Sequence, residues 1–265
     1  MIDARTLKFS ARSRPFKEAA IGRACALWAQ RGDPRARKLV LLALLLGGAA
    51  FAFAHVGEDY LTGDPLVRWD VHFALWLHGH SSAALVSMFE VITYAGNAFV
   101  LALVTVTACV VLLRRRAVHE AAFLALVALG VELVNGGAKL LFQRPRPELA
   151  FVHLETYSFP SGHAASSAAV YGALAFLLAR RASWGGRIAW ASAAVALVGT
   201  IGFSRLYLGA HYLSDVLAGV CLGAGWLFAW LIVFELSEGR DLVSRLPPWL
   251  RRVFERLAGP TSRSL

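Results

Sequence analysis

The sequence predicts an all-α, polytopic membrane protein with six transmembrane helices and an interfacial helix in the first outer loop. The composition, the length of the apolar segments and the position of the cations lead to this prediction. Of the 265 residues, 57% are hydrophobic and only 17% are charged, whereas about 25% of the residues in soluble domains are charged. The composition excludes an ordinary soluble enzyme, a disordered chain and a disulfide-stabilised secreted module.

Six apolar segments are close to the roughly 20 residues that a membrane-spanning helix requires. They are Leu39–Val56, Ala83–Leu113, Ala117–Ala138, Ala164–Ala179, Ile188–Phe203 and Val216–Phe234. The second segment is the longest, and its helix is expected to weaken at Gly96 and Asn97. In the first segment, 52–54 resembles a signal-peptidase site, but the long basic segment before it favours an uncleaved span.

The segment Leu66–His80 is aromatic, has mixed polarity and is too short to span a bilayer. Its residues Trp69 and Trp76 are typical of a helix that lies at the membrane–water interface. Two roles for this segment stay open: a surface anchor, and a lid or lateral gate over a site on the outer side.

The cations indicate how the chain crosses the membrane. There are 27 Lys and Arg against 17 Asp and Glu, and 22 of these cations cluster in 1–38, 114–116, 180–187 and 240–263. With the N-terminus inside, all four clusters lie on the inner side, which is the positive-inside pattern. The chain therefore divides into a basic cytoplasmic arm at 1–38, a membrane domain at 39–234 and a basic cytoplasmic tail at 235–265. The net charge of +10 then reflects topology and contact with anionic lipids, and no nucleic-acid partner is expected.

Three groups of polar residues interrupt the apolar pattern, and the predicted topology places all three on the outer side. They are 139–147, 160–163 and 204–215. Lys139, Arg146 and Arg205 are cations on this side, and guanidinium and ammonium groups suit phosphate oxygens. Taken alone, Lys139 is more simply interpreted as a lysine whose side chain reaches from a helix end to the membrane surface.

Ser161 and Gly162 are expected to begin a helix, because serine is a good N-cap and glycine lets the backbone approach a ligand closely. A helix N-terminus presents free N–H groups to an anion. His211 and Asp215 are four residues apart, so on a helix they would share a face, and the carboxylate would orient the imidazole. With His163 nearby, two histidines could serve as one nucleophile and one acid. A capped helix and a structural His–Asp pair are the simpler alternatives.

The order and spacing K-x6-R-P, P-S-G-H and S-R-x5-H-x3-D resemble the type 2 phosphatidic acid phosphatase superfamily. In this chain the three motifs are Lys139–Pro147, Pro160–His163 and Ser204–Asp215, and 117–234 covers the family core. The spacing selects Arg146 as the motif arginine, so Arg144 and Arg68 have no assigned role.

This resemblance implies that His211 is a nucleophile that forms a phosphohistidine, that Asp215 orients it, and that His163 protonates the leaving group and then activates water. It also implies that five residues hold the phosphoryl oxygens: Lys139, Arg146, Ser161, Gly162 and Arg205. Members of the family need no metal, so neither a metal nor another cofactor is expected.

The resemblance further implies a membrane-embedded lipid phosphate phosphatase with a periplasmic or extracellular active site. In a bacterium, the membrane would be the inner membrane. It would hydrolyse a phosphate monoester or diphosphate on a lipid or isoprenoid. Undecaprenyl diphosphate, phosphatidylglycerol phosphate, phosphatidic acid and lipid A phosphates are all candidate substrates, and the oligomeric state stays open. The alternatives are a phosphotransferase with the same intermediate, a vanadate-dependent haloperoxidase and a non-catalytic lipid-binding or transport protein.

Overall fold

The computed structural model describes residues 34–63, 65–148, 150–151 and 156–237. Within these ranges all regular secondary structure is helical, which confirms the predicted fold class. The helices are α1 Pro34–Thr62, α2 Pro65–Gly79, α3 Ala83–Thr93, a 3-10 turn Tyr94–Gly96, α4 Ala98–Arg114, α5 Val118–Phe142, α6 Gly162–Ala179, α7 Trp184–Tyr207 and α8 Leu213–Ser237. Most of the predicted basic arm and tail lies outside the described residues.

Five of these helices, α1, α5, α6, α7 and α8, are long and apolar enough to cross a membrane. The consecutive helices α3 and α4 pass the same test only together, so the described part of the chain has six candidate spans if this pair counts as one. The chain is therefore an integral membrane protein. The pair is bent by 44° at its break, which lies at the predicted weak point.

The break between α3 and α4 is fixed by its own residues. The side chain of Asn97 caps α4, because its Oδ1 accepts a hydrogen bond from the backbone N–H of Phe99 at 2.8 Å. Gly96 lies against α7, where an added Cβ would come within 2.5 Å of Ile201 Cγ2. The absence of a side chain at this position lets α7 pack directly on the bend.

Helices α6 and α8 approach each other closely at the centre of the fold. A Cβ on Gly219 would lie 2.5 Å from the backbone oxygen of Ser161, and one on Gly223 would lie 2.1 Å from that of Ala165. Small residues one turn apart allow two membrane helices to come into backbone contact. This contact holds the second and third turns of α8 against the first turn of α6.

Helix α2 corresponds to the predicted outer segment 66–80 and packs on the ends of α7 and α8. Its residue Leu77 is buried in a cluster with Leu206 and Val216. The exposed side of the helix carries Trp69 and Trp76, which are 70% and 56% exposed. The helix is thus amphipathic, as the composition of the segment predicts, and one of its faces is fixed to the core.

Candidate functional site

The eight residues singled out in the sequence lie at one end of the bundle. They are carried by the end of α5, the loop after it, the start of α6, the end of α7 and the start of α8. Backbone hydrogen bonds join these segments: Ser161 N–H donates to the carbonyl of Asp215 at 2.9 Å, and Ser158 N–H donates to that of Arg144 at 2.8 Å. The three motifs therefore form one connected unit.

His211 and Asp215 are brought together differently from the expectation. Helix α8 begins at Leu213, so His211 precedes the helix and the two side chains do not share a helical face. The Asp215 carboxylate instead reaches back over the helix start, where Oδ2 accepts from the backbone N–H of Tyr212 at 2.9 Å. The same oxygen faces His211 Nδ1 at 3.5 Å, which is slightly longer than a hydrogen bond.

Arg146 lies against the other ring nitrogen of His211. Its Nη1 is 3.2 Å from His211 Nε2 and donates to the carbonyl of Ala210 at 2.7 Å. A guanidinium has no acceptor, so His211 Nε2 must present its lone pair. Other donors of Arg146 bind Thr156, through the carbonyl at 2.7 Å and the hydroxyl at 2.8 Å. Nε2 is therefore the unprotonated nitrogen, and Nδ1 carries the proton that faces Asp215.

The other two cations are also held in place. The Lys139 ammonium donates to the carbonyl of Tyr157, and the Arg205 guanidinium donates to Thr93 Oγ1 at 2.9 Å. Arg205 is only 3% exposed, and its Nε has no hydrogen-bond partner within the described part of the chain. A buried guanidinium with a free donor is a candidate contact for an anion.

The start of α6 has the features of an anion-binding helix end. Ser161 is the N-cap residue, yet its side chain makes no capping hydrogen bond and its buried Oγ has no partner among the described residues. An added Cβ on Gly162 would lie 3.1 Å from Asn135 Nδ2. His163 follows in the first turn of the helix. The free hydroxyl and the helix end thus face the same region as the cations.

Burial and the positive charges of the site both change the titration of His211. Burial lowers the pKa of His211 well below its ordinary value of 6.5, and Arg205, Arg146 and Lys139 lower it further. Burial also lowers the pKa of Arg146, while Asp215 acts in the opposite direction. A neutral imidazole beside several cations can act as a nucleophile toward an anionic electrophile.

Several residues of the site were not found by sequence reasoning. Arg144 is buried and binds Asp215, and Asp70 of α2 binds Arg144. Thr93 and Thr156 hold Arg205 and Arg146. The one available signal was Arg144 itself, a cation that the predicted topology places outside the basic clusters and that has no topological role. Neutral threonines in apolar or loop segments give no such signal.

An acidic residue and a cavity lie near the site. Glu132 accepts a hydrogen bond from Ser166 Oγ at 2.6 Å, so this intramembrane acid is the partner of a neighbouring polar group. A cavity of about 450 Å³ lies beside Arg146, between α2 and the loops. Its apolar lining includes Val71, Leu75 and Pro147. Within the described ranges, no group of three or more His, Cys, Asp or Glu side chains could hold a metal ion.

Comparison with known proteins identifies the region that carries this site. Residues 120–238 match the model of the PAP2 superfamily. The chain is 37% identical over 123 residues to phosphatidylglycerophosphatase B of Bacillus subtilis, a match covering 44% of this chain and 57% of that protein. It is 39% identical over 82 residues to lipid A 1-phosphatase of Rhizobium johnstonii, covering 31% and 30% respectively. The chain thus matches less than two thirds of the length of these curated relatives.

Two solved structures share the fold. The crystal structure of a transmembrane PAP2-type phosphatidylglycerolphosphate phosphatase from Bacillus subtilis aligns with a TM-score of 0.64 and 24% identity, over 77% of this chain and 98% of that one. Aquifex aeolicus LpxE aligns with a TM-score of 0.51 and 20% identity, over 62% and 94%. At these identities the likeness concerns the arrangement of the helices.

Proposed function

We propose that this protein hydrolyses a phosphate monoester or diphosphate on a lipid or isoprenoid substrate, because residues 120–238 match the model of the PAP2 superfamily. The reaction proceeds without metal, through a phosphohistidine, at the outer face of the membrane. The observation that carries the proposal is the environment of His211, whose Nε2 lone pair faces Arg146 at 3.2 Å while Nδ1 faces Asp215 at 3.5 Å.

In the first step Arg146 shifts its hydrogen bond from His211 Nε2 to a phosphoryl oxygen of the substrate, and the freed Nε2 lone pair attacks phosphorus. A P–N bond forms as the bond to the leaving oxygen breaks. The leaving oxygen takes a proton from the His163 imidazolium, so an alcohol or a phosphate departs. Positive charge develops on the His211 ring, and the Asp215 carboxylate stabilises it. An acid in the position of His163 contributes about 10²- to 10⁴-fold to such a step.

In the second step water attacks the phosphohistidine. His163 accepts the proton of this water, the P–N bond breaks, and inorganic phosphate leaves while His211 recovers its lone pair. In both steps negative charge is spread over the equatorial phosphoryl oxygens. Lys139, Arg146 and Arg205, together with Ser161 and the N–H groups of the α6 start, supply the charge and donors that neutralise it.

The position of the site supports a lipid substrate and an outward orientation. Helix α6 has 18 residues and is therefore about 27 Å long, so its two ends lie near opposite surfaces of a bilayer. The site is at its first residue, and the basic residues Arg180 and Arg181 follow its last. Since basic clusters mark the inner side, the site lies at the depth of the outer headgroups. The apolar cavity beside Arg146 supports a substrate with a hydrophobic part.

Phosphate release by the purified protein from short-chain phosphatidic acid, phosphatidylglycerol phosphate and an isoprenoid diphosphate tests the proposal. We expect turnover in EDTA, and no turnover above background for His211→Ala. His72→Ala is the matched control, because this exposed histidine contacts the Arg68 carbonyl of its own helix and has no role in the proposed reaction. Substantial activity of His211→Ala, or a persistent requirement for Mg²⁺, contradicts the mechanism.

The intermediate can be trapped in His163→Ala with an aryl phosphate, whose leaving group needs no acid. The first step then proceeds and the second is slow, so a burst of aryl alcohol equal to the enzyme concentration is expected. The trapped phosphoryl group should be labile to acid and stable to base, as a phosphoramidate is. Product analysis of the parent protein, with and without a lipid alcohol as acceptor, distinguishes hydrolysis from transfer.

A further inference from the structure

Arg144 is a buried cation two residues before the motif arginine. Only 3% of its surface is exposed, and two aromatic rings pack against its guanidinium. The Cζ atom lies 4.8 Å from the centroid of Tyr60 and 4.3 Å from that of Tyr212. A guanidinium enclosed in this way has little access to a substrate, so its partners within the protein define its role.

The edge of this guanidinium joins two buried carboxylates. Nη1 donates to Asp215 Oδ1 at 2.7 Å and to Ser214 Oγ at 2.6 Å, and Nη2 donates to Asp70 Oδ2 at 2.9 Å. Asp70 also accepts from the Ser214 backbone N–H at 2.9 Å and from the Ser214 hydroxyl. Asp70 and Asp215 are 1% and 0% exposed. The positive charge of Arg144 thus balances one of the two carboxylates, and the Asp70–Asp215 pair keeps one net negative charge.

Each oxygen of Asp215 therefore has its own partner. Oδ1 is held by Arg144, and Oδ2 is held by the N–H of Tyr212 and faces the His211 ring. With both oxygens held, the carboxylate cannot rotate away from His211. Without the Arg144 contact, Oδ1 of the buried Asp215 carboxylate would have no donor, and the carboxylate would turn toward another one.

We infer that Arg144 is a positioning residue for Asp215 and His211, and that Asp70 makes helix α2 a fixed support of this pair. The inference rests on the proposed function, since it concerns the orientation of the proposed nucleophile. The inference also makes α2 a fixed support of the site and not a mobile lid. A helix whose buried carboxylate binds Arg144 and the first turn of α8 cannot leave the site without breaking these hydrogen bonds.

The substitution Arg144→Lys tests the inference, because a lysine keeps the charge but cannot bind both carboxylates with a planar fork. We expect kcat to fall about 10- to 100-fold, as for a small displacement of a reacting group, with KM changed less than twofold. Arg68→Lys is the matched control, since Arg68 is an exposed arginine of α2, and its kcat should remain that of the parent protein.

A double mutant separates positioning from a merely structural role. If Arg144 acts through Asp215, adding Arg144→Lys to Asp215→Asn should lower kcat less than threefold further, whereas independent effects would multiply. Asp70→Asn should reproduce the loss in kcat, and it serves as the second variant if Arg144→Lys does not fold. The inference is overturned if folded Arg144→Lys or Asp70→Asn keeps the parent kcat, or if only KM rises. It is also overturned if the effects of Arg144→Lys and Asp215→Asn on kcat multiply in the double mutant. An inactive parent protein would instead refute the proposed function.

Discussion

The contact between Gly219 and Ser161 ties the packing of the bundle to the geometry of the site. In Gly219→Ala the new Cβ would lie 2.5 Å from the Ser161 carbonyl oxygen and 3.0 Å from Ala164 Cβ. Ordinary contacts of a Cβ begin at 3.4 Å. Since both neighbours lie in a packed helix start, α8 must move away from α6 by about 0.5 to 0.9 Å, at a typical overpacking cost of about 1–3 kcal/mol.

This displacement acts on the reaction because α6 carries Ser161 and His163 while α8 carries Asp215. A misplacement of 1 Å can cost about 10²-fold in rate, so we expect kcat to fall about 10- to 100-fold. The assay is steady-state phosphate release from short-chain phosphatidic acid in detergent micelles, with the thermal unfolding midpoint measured on the same samples.

Gly225→Ala is the control on the same helix, because its Cβ would meet Ala49 Cβ at an ordinary 3.5 Å. Its kcat should stay within twofold of the parent value. The reasoning is refuted if folded Gly219→Ala keeps the parent kcat, or if Gly225→Ala loses as much activity as Gly219→Ala.

Three further predictions concern single groups. The pKa of His211 lies below 6.5 in the folded protein, so its lone pair is lost only at lower pH. The acid limb of kcat/KM, corrected for the ionisation of the substrate, should therefore lie below pH 6.5, and a limb above that pH contradicts the assignment. Thr93→Val removes the hydrogen bond to Arg205 and should raise KM about 2- to 10-fold in steady-state kinetics, the equivalent of one hydrogen bond; an unchanged KM would show that Thr93 does not orient Arg205. Lys38→Ala leaves the buried Glu235 carboxylate, which is 4% exposed, without the Lys38 ammonium. We expect a loss of about 1–3 kcal/mol in the free energy of unfolding. Adding Glu235→Gln should restore part of this loss, and no restoration would argue against this pair.

Predictions that depend on local sequence agree with the structure. The apolar segments form helices because a run of apolar residues in a bilayer must satisfy its backbone internally, and α1 extends beyond the predicted 39–56 at both ends. The bend at 96–97 follows from glycine and from the capping side chain of asparagine, both of which act within a few residues. The three motifs also lie together at one end of the bundle, as their predicted placement on one side of the membrane requires.

Predictions that depend on side-chain direction were less accurate. The spacing of His211 and Asp215 suggested a common helical face, but α8 begins between them, and the Tyr212 N–H draws the carboxylate back over the helix start. The role of Arg144 could not be predicted, because its partners Asp70 and Asp215 are 74 and 71 residues away in the chain. Pairs at such a separation meet only through packing.

The sequence by itself determined the helical membrane fold, the segments that cross the bilayer and the residue types that suit a phosphate, since hydropathy and charge are properties of local composition. Only the tertiary structure decided which nitrogen of His211 presents its lone pair, which arginine supports Asp215 and why α2 stays on the core. These depend on distances between groups far apart in the chain. A buried charge must find a partner wherever packing places one, and the sequence does not encode that partner locally.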